Sequence, residues 1–235
     1  MTANEILDAF KALGDDGYKR ILLKHGVQEP VFGVKIEEMK KYGKRIKKDH
    51  QLALDLYDSG VYDAMYFAGL IADDAAMTKK NLQHWAGGAN CPMLRTYTVP
   101  WVAAGSSHGW EMALKWIGSK NESIASVGWS TLGSLVGIKE DADLDLPELN
   151  RLLEQVRKTI LDQPNQVRAS MNLFVISVGG YVKSLTATAV RIGEQIGRVP
   201  VDRGDTSCKT PYAPEYIAKI MARGKIGVKR KTARC

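Results

Sequence analysis

The sequence predicts an all-α fold, a superhelix of stacked helix pairs with a concave binding face. Three observations carry this. Apolar residues recur at helical spacing nearly throughout, and no long alternation bounded by turn residues marks a strand. Three stretches, LALDLYDSGVYDAMYFAGLIAD, MALKWIGSKNESIASVGWSTLGSLVG and VRKTILDQPNQVRASMNLFVISVGG, each read as a helix, a short polar link and a second, almost wholly apolar helix. A helix apolar all round packs between neighbours rather than against solvent. Small residues recur inside those second helices: Ala64, Ala68 and Gly69; Ala125, Gly128 and Gly133; Ala169, Ser170, Gly179 and Gly180. A glycine costs a helix interior about 1 kcal/mol relative to alanine, so their frequency implies close helix approach or access to a ligand.

The elements follow in order. TANEILDAFKAL opens with Thr2 three residues before Glu5, the spacing of a capping box, and Ile6, Phe10 and Leu13 then share one face. DGYKRILLKHG is a second short helix, ended by Gly26. Pro30 and Gly33 break the chain, and Val34 to Lys48 read as a helix with a cationic outer side. HQLALDLYDSG and VYDAMYFAGLIAD form a pair joined at Ser59-Gly60. The apolar helices of the three pairs start near Val61, Ile124 and Val167. The last two starts lie 43 residues apart, the length of a HEAT-type repeat. The first gap, of 63, leaves room for an irregular extra element over NCPMLRTYTVPWVAAG. After Arg191 the pattern weakens. GRVPVDRGDTSCKTP reads as a linker, and YAPEYIAKIMARG as a last helix before a basic end. The expected organisation is a helical-repeat domain over 1–200, then a linker, short helix and basic tail over 201–235. Stacked pairs of this kind line a concave face with their inner helices, which suits a long, curved partner.

Charge is concentrated at one end. Eight of the 33 Lys/Arg and one of the 26 Asp/Glu lie from Lys209 onward, which leaves 25 of each before it. The net charge of +7 therefore belongs to the tail, which ends GKIGVKRKTARC. Such an end is a handle for a polyanion, because each Lys or Arg set against a phosphate releases a condensed counterion. Three cysteines, Cys91, Cys208 and Cys235, do not make a disulfide framework and are read as reduced. His25, His50, His84 and His108 show no metal-ligand spacing, so no metal and no cofactor are expected. The amphipathic N-terminus is unlike a signal peptide, and no apolar run is long enough for a membrane span. The expectation is a cytoplasmic monomer, associated with the bacterial nucleoid if it binds DNA. Arg203-Gly204-Asp205 has the look of an adhesion tripeptide but reads as a plain turn.

From VFGVKIEEMKK through LALDLYDSGVYDAMYFAGLIAD to NQVRASMNLFVISVGG, over about residues 28–190, the chain resembles the bacterial DNA alkylation repair glycosylases of the AlkD-like type, built from HEAT-like helical repeats. The tail lies outside that pattern and looks like the ending of a subgroup with a basic C-terminal extension. The resemblance implies a concave surface that clamps double-stranded DNA, damaged or deformed, through its phosphates. It also implies removal of alkylated bases without a flipped-base pocket. In such enzymes a Trp-Asp-x-x-Asp-like segment and later aromatic and arginine residues face the lesion, and the carboxylate favours an oxocarbenium-like sugar. Here the matching segment is NCPMLRTYTVPW, with Cys91 in place of the tryptophan and Arg95 in place of the catalytic aspartate. No acidic residue occurs between Asp74 and Glu111. A cation where positive charge develops would raise the barrier, which sets base excision against the resemblance and leaves DNA binding consistent with it.

Of the five tryptophans, Trp101, Trp110, Trp116 and Trp129 fall close together. Core packing accounts for most of them. Trp129, between Gly128 and Ser130, is the candidate for stacking on a base or pressing on a deoxyribose, and the one catalytic candidate. Arg95, Lys115, Arg168 and Asn172 are expected to face DNA from successive repeats. Lys225, Lys229, Arg230, Lys231 and Arg234 are expected to lie along its backbone. Three alternatives stay open: a duplex-binding protein with or without alkylpurine N-glycosylase activity, a non-catalytic helical-repeat scaffold for protein partners, and an enzyme using Cys208, whose neighbour Lys209 would lower a thiol pKa.

Overall fold

A computed structural model describes residues 1–234 and contains helices and no strand among them. The N-terminal helices are α1 (Ala3–Ala12), α2 (Asp16–Lys24) and α3 (Ile36–Ile46). Thr2 and Glu5 cap α1 reciprocally, and Ile6 and Phe10 are fully buried, whereas Leu13 falls at the cap and is exposed. α3 starts two residues later than the sequence suggested. The backbone N–H groups of Phe32 and Val34 donate instead to the two carboxylate oxygens of Asp63, at 2.6 and 2.7 Å, which keeps that stretch extended.

Then come α4 (His50–Asp58) and α5 (Tyr62–Ile71), joined through Gly60 at φ 69°. The irregular element expected over 90–105 is the inner half of a further helix pair. α6 (Lys79–Gly88) is its outer member, and a π-helical turn at Leu94–Thr98 running into α7 (Val99–Gly105) is its inner one. Pro100 explains the π turn: it lacks an N–H and its ring crowds the preceding turn, so the helix widens there. This inner helix packs between α5 and the next inner helix. α8 (Gly109–Ile117) pairs with α9 (Glu122–Ile138), and α10 (Leu146–Thr159) precedes α11 (Asn165–Tyr181). α12 (Thr186–Ile196) and α13 (Ala213–Ala222) close the stack against α11.

The layer α5, α7, α9 and α11 is the core, buried on nearly every side as the apolar pattern required. Its glycines serve close approach. A methyl on Gly128 would sit 2.7 Å from the Ile117 nitrogen, and one on Gly69 would sit 2.6 Å from Thr98 Cγ2.

The basic end packs onto the protein. Residues 224–234 cross the carboxyl-terminal ends of three inner helices. The Gly227 N–H donates to the Gly180 carbonyl of α11 at 2.9 Å. At α9, the Arg230 N–H donates to the Gly137 carbonyl at 2.8 Å, and Lys229 Nζ to the Val136 carbonyl at 3.0 Å. At α5, Arg234 donates to the carbonyls of Gly69 (2.7 Å) and Ala72 (3.1 Å) and forks onto the Asp74 carboxylate. The last turn of a helix leaves carbonyls unpaired and carries the negative end of its dipole, so donors and cations are favourable there. Lys229 also pairs with Asp141 at 2.7 Å, and Ala233 is buried.

Candidate nucleic-acid interface

Two cavities open on the inner layer and share Thr96, Tyr97 and Leu173 in their walls, so they form one cleft. The larger has a volume of about 440 Å³. It lies between the end of α2, the start of the π-helical turn, the first turns of α11 and the linker 202–208. Its charged lining is Lys24 and Arg203, with Asp202, and His25 lines it beside them. The smaller, of about 170 Å³, is walled by Trp101, Trp129 and Phe174 and reached by Arg230.

The linker is held in a defined shape. Asn165 and the backbone of Asp202 exchange hydrogen bonds in both directions, at 3.0 and 2.8 Å. The Asp202 carboxylate accepts the Gly204 N–H at 2.8 Å, and Gly204 turns the chain at φ 59°. The turn brings Arg203 into the cleft wall, with a buried Nε that has no partner. The sequence reading of a plain turn recognised the backbone and missed the arginine it presents. It missed Lys24, His25 and Tyr97 too, since each comes from a segment whose neighbours in space are set only by tertiary packing. The signal that could have found Arg203 is the Asp-x-Gly spacing of 202–204, which fixes a turn beside a cation.

The candidates named from sequence are divided. Trp129 is 2% exposed, with its ring 5.2 Å from Phe174, so it is a wall of the smaller cavity and not an exposed stacking platform. Trp101 joins it there, 5.7 Å from Tyr97. Trp116 is buried and donates to Gln83, while Trp85 stacks on Tyr57. Arg95 is half-buried and its Nε donates to the Ala89 carbonyl at 2.8 Å; burial pulls its pKa down. Lys115 sits on the solvent side of α8 and lines neither cavity. Arg168, one residue before the cleft-lining Ala169, has a buried Nε without a partner. Asn172 is buried and donates to the Pro211 carbonyl at 2.9 Å, tying the linker to α11. Of the tail cations, Lys229 and Arg234 are taken up by the helix ends just described, and Lys225 and Lys231 are exposed. The tail is therefore not a free basic strand. Only Arg230 among its cations reaches the cleft.

Cys91 is fully buried, and burial raises its thiol pKa; it is a packing residue. Cys208 is exposed and lines the larger cavity, as His25 does, but no hydrogen bond or ion pair joins them among the described residues. Cys235 lies outside the described residues.

An inner layer of buried helices carrying a cleft lined by arginine, lysine and aromatic side chains defines a HEAT-like helical-repeat protein. The chain belongs to the DNA alkylation repair enzyme family, whose model matches residues 6–217. The basic end lies beyond that match. A solved structure that superposes with a TM-score of 0.92 is 37% identical, with each chain covered in full. It represents a new family of proteins related to the HEAT-like repeat DNA glycosylases with affinity for branched DNA structures. The uncharacterized protein Lin0241 of Listeria innocua is 29% identical over 95% of this chain and 99% of its own. The uncharacterized protein Lmo0209 of Listeria monocytogenes is 28% identical over 96% of this chain and 100% of its own.

Proposed function

We propose that this protein recognises branched or locally opened duplex DNA in the inner-layer cleft, and that base excision is not its activity. One observation carries the reading. Lys24 and Arg203 at one end of the cleft and Arg230 at the other flank the exposed ring of Tyr97, which is backed by the buried Trp101. Cations fix a phosphate backbone without reading sequence, and aromatic rings accept bases that have left the stack. A fully stacked linear duplex uses only the first of these; a branch point supplies both. The solved relative's affinity for branched DNA supports the same choice.

Two features weigh against excision. Arg95 stands where the resemblance puts the catalytic carboxylate, and the one carboxylate in the cleft lining, Asp202, is held by the Gly204 N–H in the linker turn. The protein acts as a single chain on chromosomal DNA in this reading.

The test is mobility shift on a four-way junction, a three-way junction and a linear duplex of equal length, beside a base-release assay on methylated duplex. Junctions should bind at least about tenfold more tightly, a difference of about 1.4 kcal/mol. Each of Lys24→Ala and Arg203→Ala should lower the slope of log affinity against log salt by about 1. Equal affinity for all three DNAs refutes the reading, and base release lost in Asp202→Asn replaces it with a glycosylase.

A further inference from the structure

The smaller cavity is not explained by phosphate clamping. Its volume, about 170 Å³, is well under the roughly 300–1,000 Å³ of sites that hold drug-sized ligands, so it suits one ring system. The buried indoles of Trp101 and Trp129 back it, and the ring that offers open aromatic surface is that of Tyr97, 38% exposed, where it joins the larger cavity. The hydroxyls of Ser134 and Ser177 line it without a partner among the described residues. The last lining group, Arg230, comes from the C-terminal strap. Its guanidinium lies 5.5 Å from the Tyr181 ring centroid and its buried Nε has no hydrogen bond. Aromatic surface, small hydroxyls and one unsatisfied planar donor are the groups that hold a nucleobase by stacking and by its polar edge.

We infer that this cavity takes a single unstacked nucleobase from DNA held in the cleft, and that Arg230, delivered by the closed strap, donates to the edge of that base. The inference rests on the branched-DNA reading and names what the branch contributes: a base free to leave the helix. The strap places the arginine through its backbone, since the Arg230 N–H is fixed to Gly137. A methyl on Gly137 would come within 2.9 Å of the Arg230 guanidinium, so glycine leaves room for the side chain to lie across the end of α9 into the cavity.

The experiment uses duplexes with a single bulged 2-aminopurine or, at the same position, an abasic residue, with the four-way junction and linear duplex alongside. The full-length protein should quench the 2-aminopurine on binding. It should bind the base-bearing bulge about tenfold more tightly than the abasic one, the scale of one base stacked on an aromatic ring. Ser177→Phe, which fills the cavity, should bind both bulges with the weaker, abasic-like affinity, and Arg230→Gln should narrow the difference. Equal affinity of the wild-type protein for the two bulges, with junction preference intact, overturns the base pocket and leaves the branched-DNA reading standing. That comparison needs no variant, so a misfolded Ser177→Phe does not shelter the inference. Junctions and bulges bound no better than linear duplex overturn the branched-DNA reading itself.

Discussion

Replacing Arg234 by alanine should unlatch the C-terminal strap from the first half of the molecule. Arg234 spans the chain from its end back to α5, donating to two main-chain carbonyls and both oxygens of Asp74. The pair is mostly buried, with side-chain exposures of 17% for Arg234 and 16% for Asp74. An exposed ion pair contributes at most about 1 kcal/mol, and removing one partner of a fully buried one costs about 3–5. With a trace of solvent access and several charge-assisted bonds, roughly 2–4 kcal/mol is expected for Arg234→Ala. A domain of this size loses about 2–4 °C of Tm per kcal/mol, so Tm should fall by roughly 4–16 °C. Chemical denaturation of Arg234→Ala, Asp74→Ala and the double variant gives the pairwise term, expected at about 1.5–3 kcal/mol. A Tm shift under about 1 °C with a coupling energy near zero would refute the strap as a fastening and return it to a loose basic tail.

Other expectations concern the core and its charges. Asp63→Ala leaves the N–H groups of Phe32 and Val34 without their acceptor, at a cost of about 2–4 kcal/mol measured by urea unfolding. Burial raises the Asp63 pKa, so its own charge is not the source of that stability; the two donors are. Trp129→Ala should destabilise by about 3–5 kcal/mol, as an emptied core site does, read by urea unfolding. Arg191 and Arg157 hold the Glu154 carboxyl below its ordinary value of 4.5. A lowered folded-state pKa contributes stability above that value, and the contribution is lost as pH falls through the lowered one. All three groups are part-exposed, so Glu154→Gln should remove less than about 1 kcal/mol of the difference between neutral and acid stability, read from Tm against pH.

The helical layer was legible because its pattern is local. Capping at Thr2 and Glu5, the Ser59-Gly60 link and the apolar runs of α5, α9 and α11 follow from spacing alone. The stretch 90–105 reads as irregular because the gap of 63 it fills is longer than one repeat, and the π turn that accommodates Pro100 within its helix leaves no sequence mark. The tail was legible as charge and illegible as structure. Nothing in GKIGVKRKTARC says that its partners are helix ends and Asp74, distant along the chain and near only after the stack has formed. The cleft shows the same division. Its tryptophans were visible as a cluster, but which of them line a cavity depends on Phe174 and Arg230 arriving from other segments.

Hydrogen exchange of the protein alone and bound to a four-way junction tests the central claim most directly. Protection is expected at the backbone of 92–98, the first turns of α11 and the linker 202–208, with the outer helices α8 and α10 unchanged. Protection confined to α8 and α10, with the cleft exchanging as in the free protein, would contradict the account.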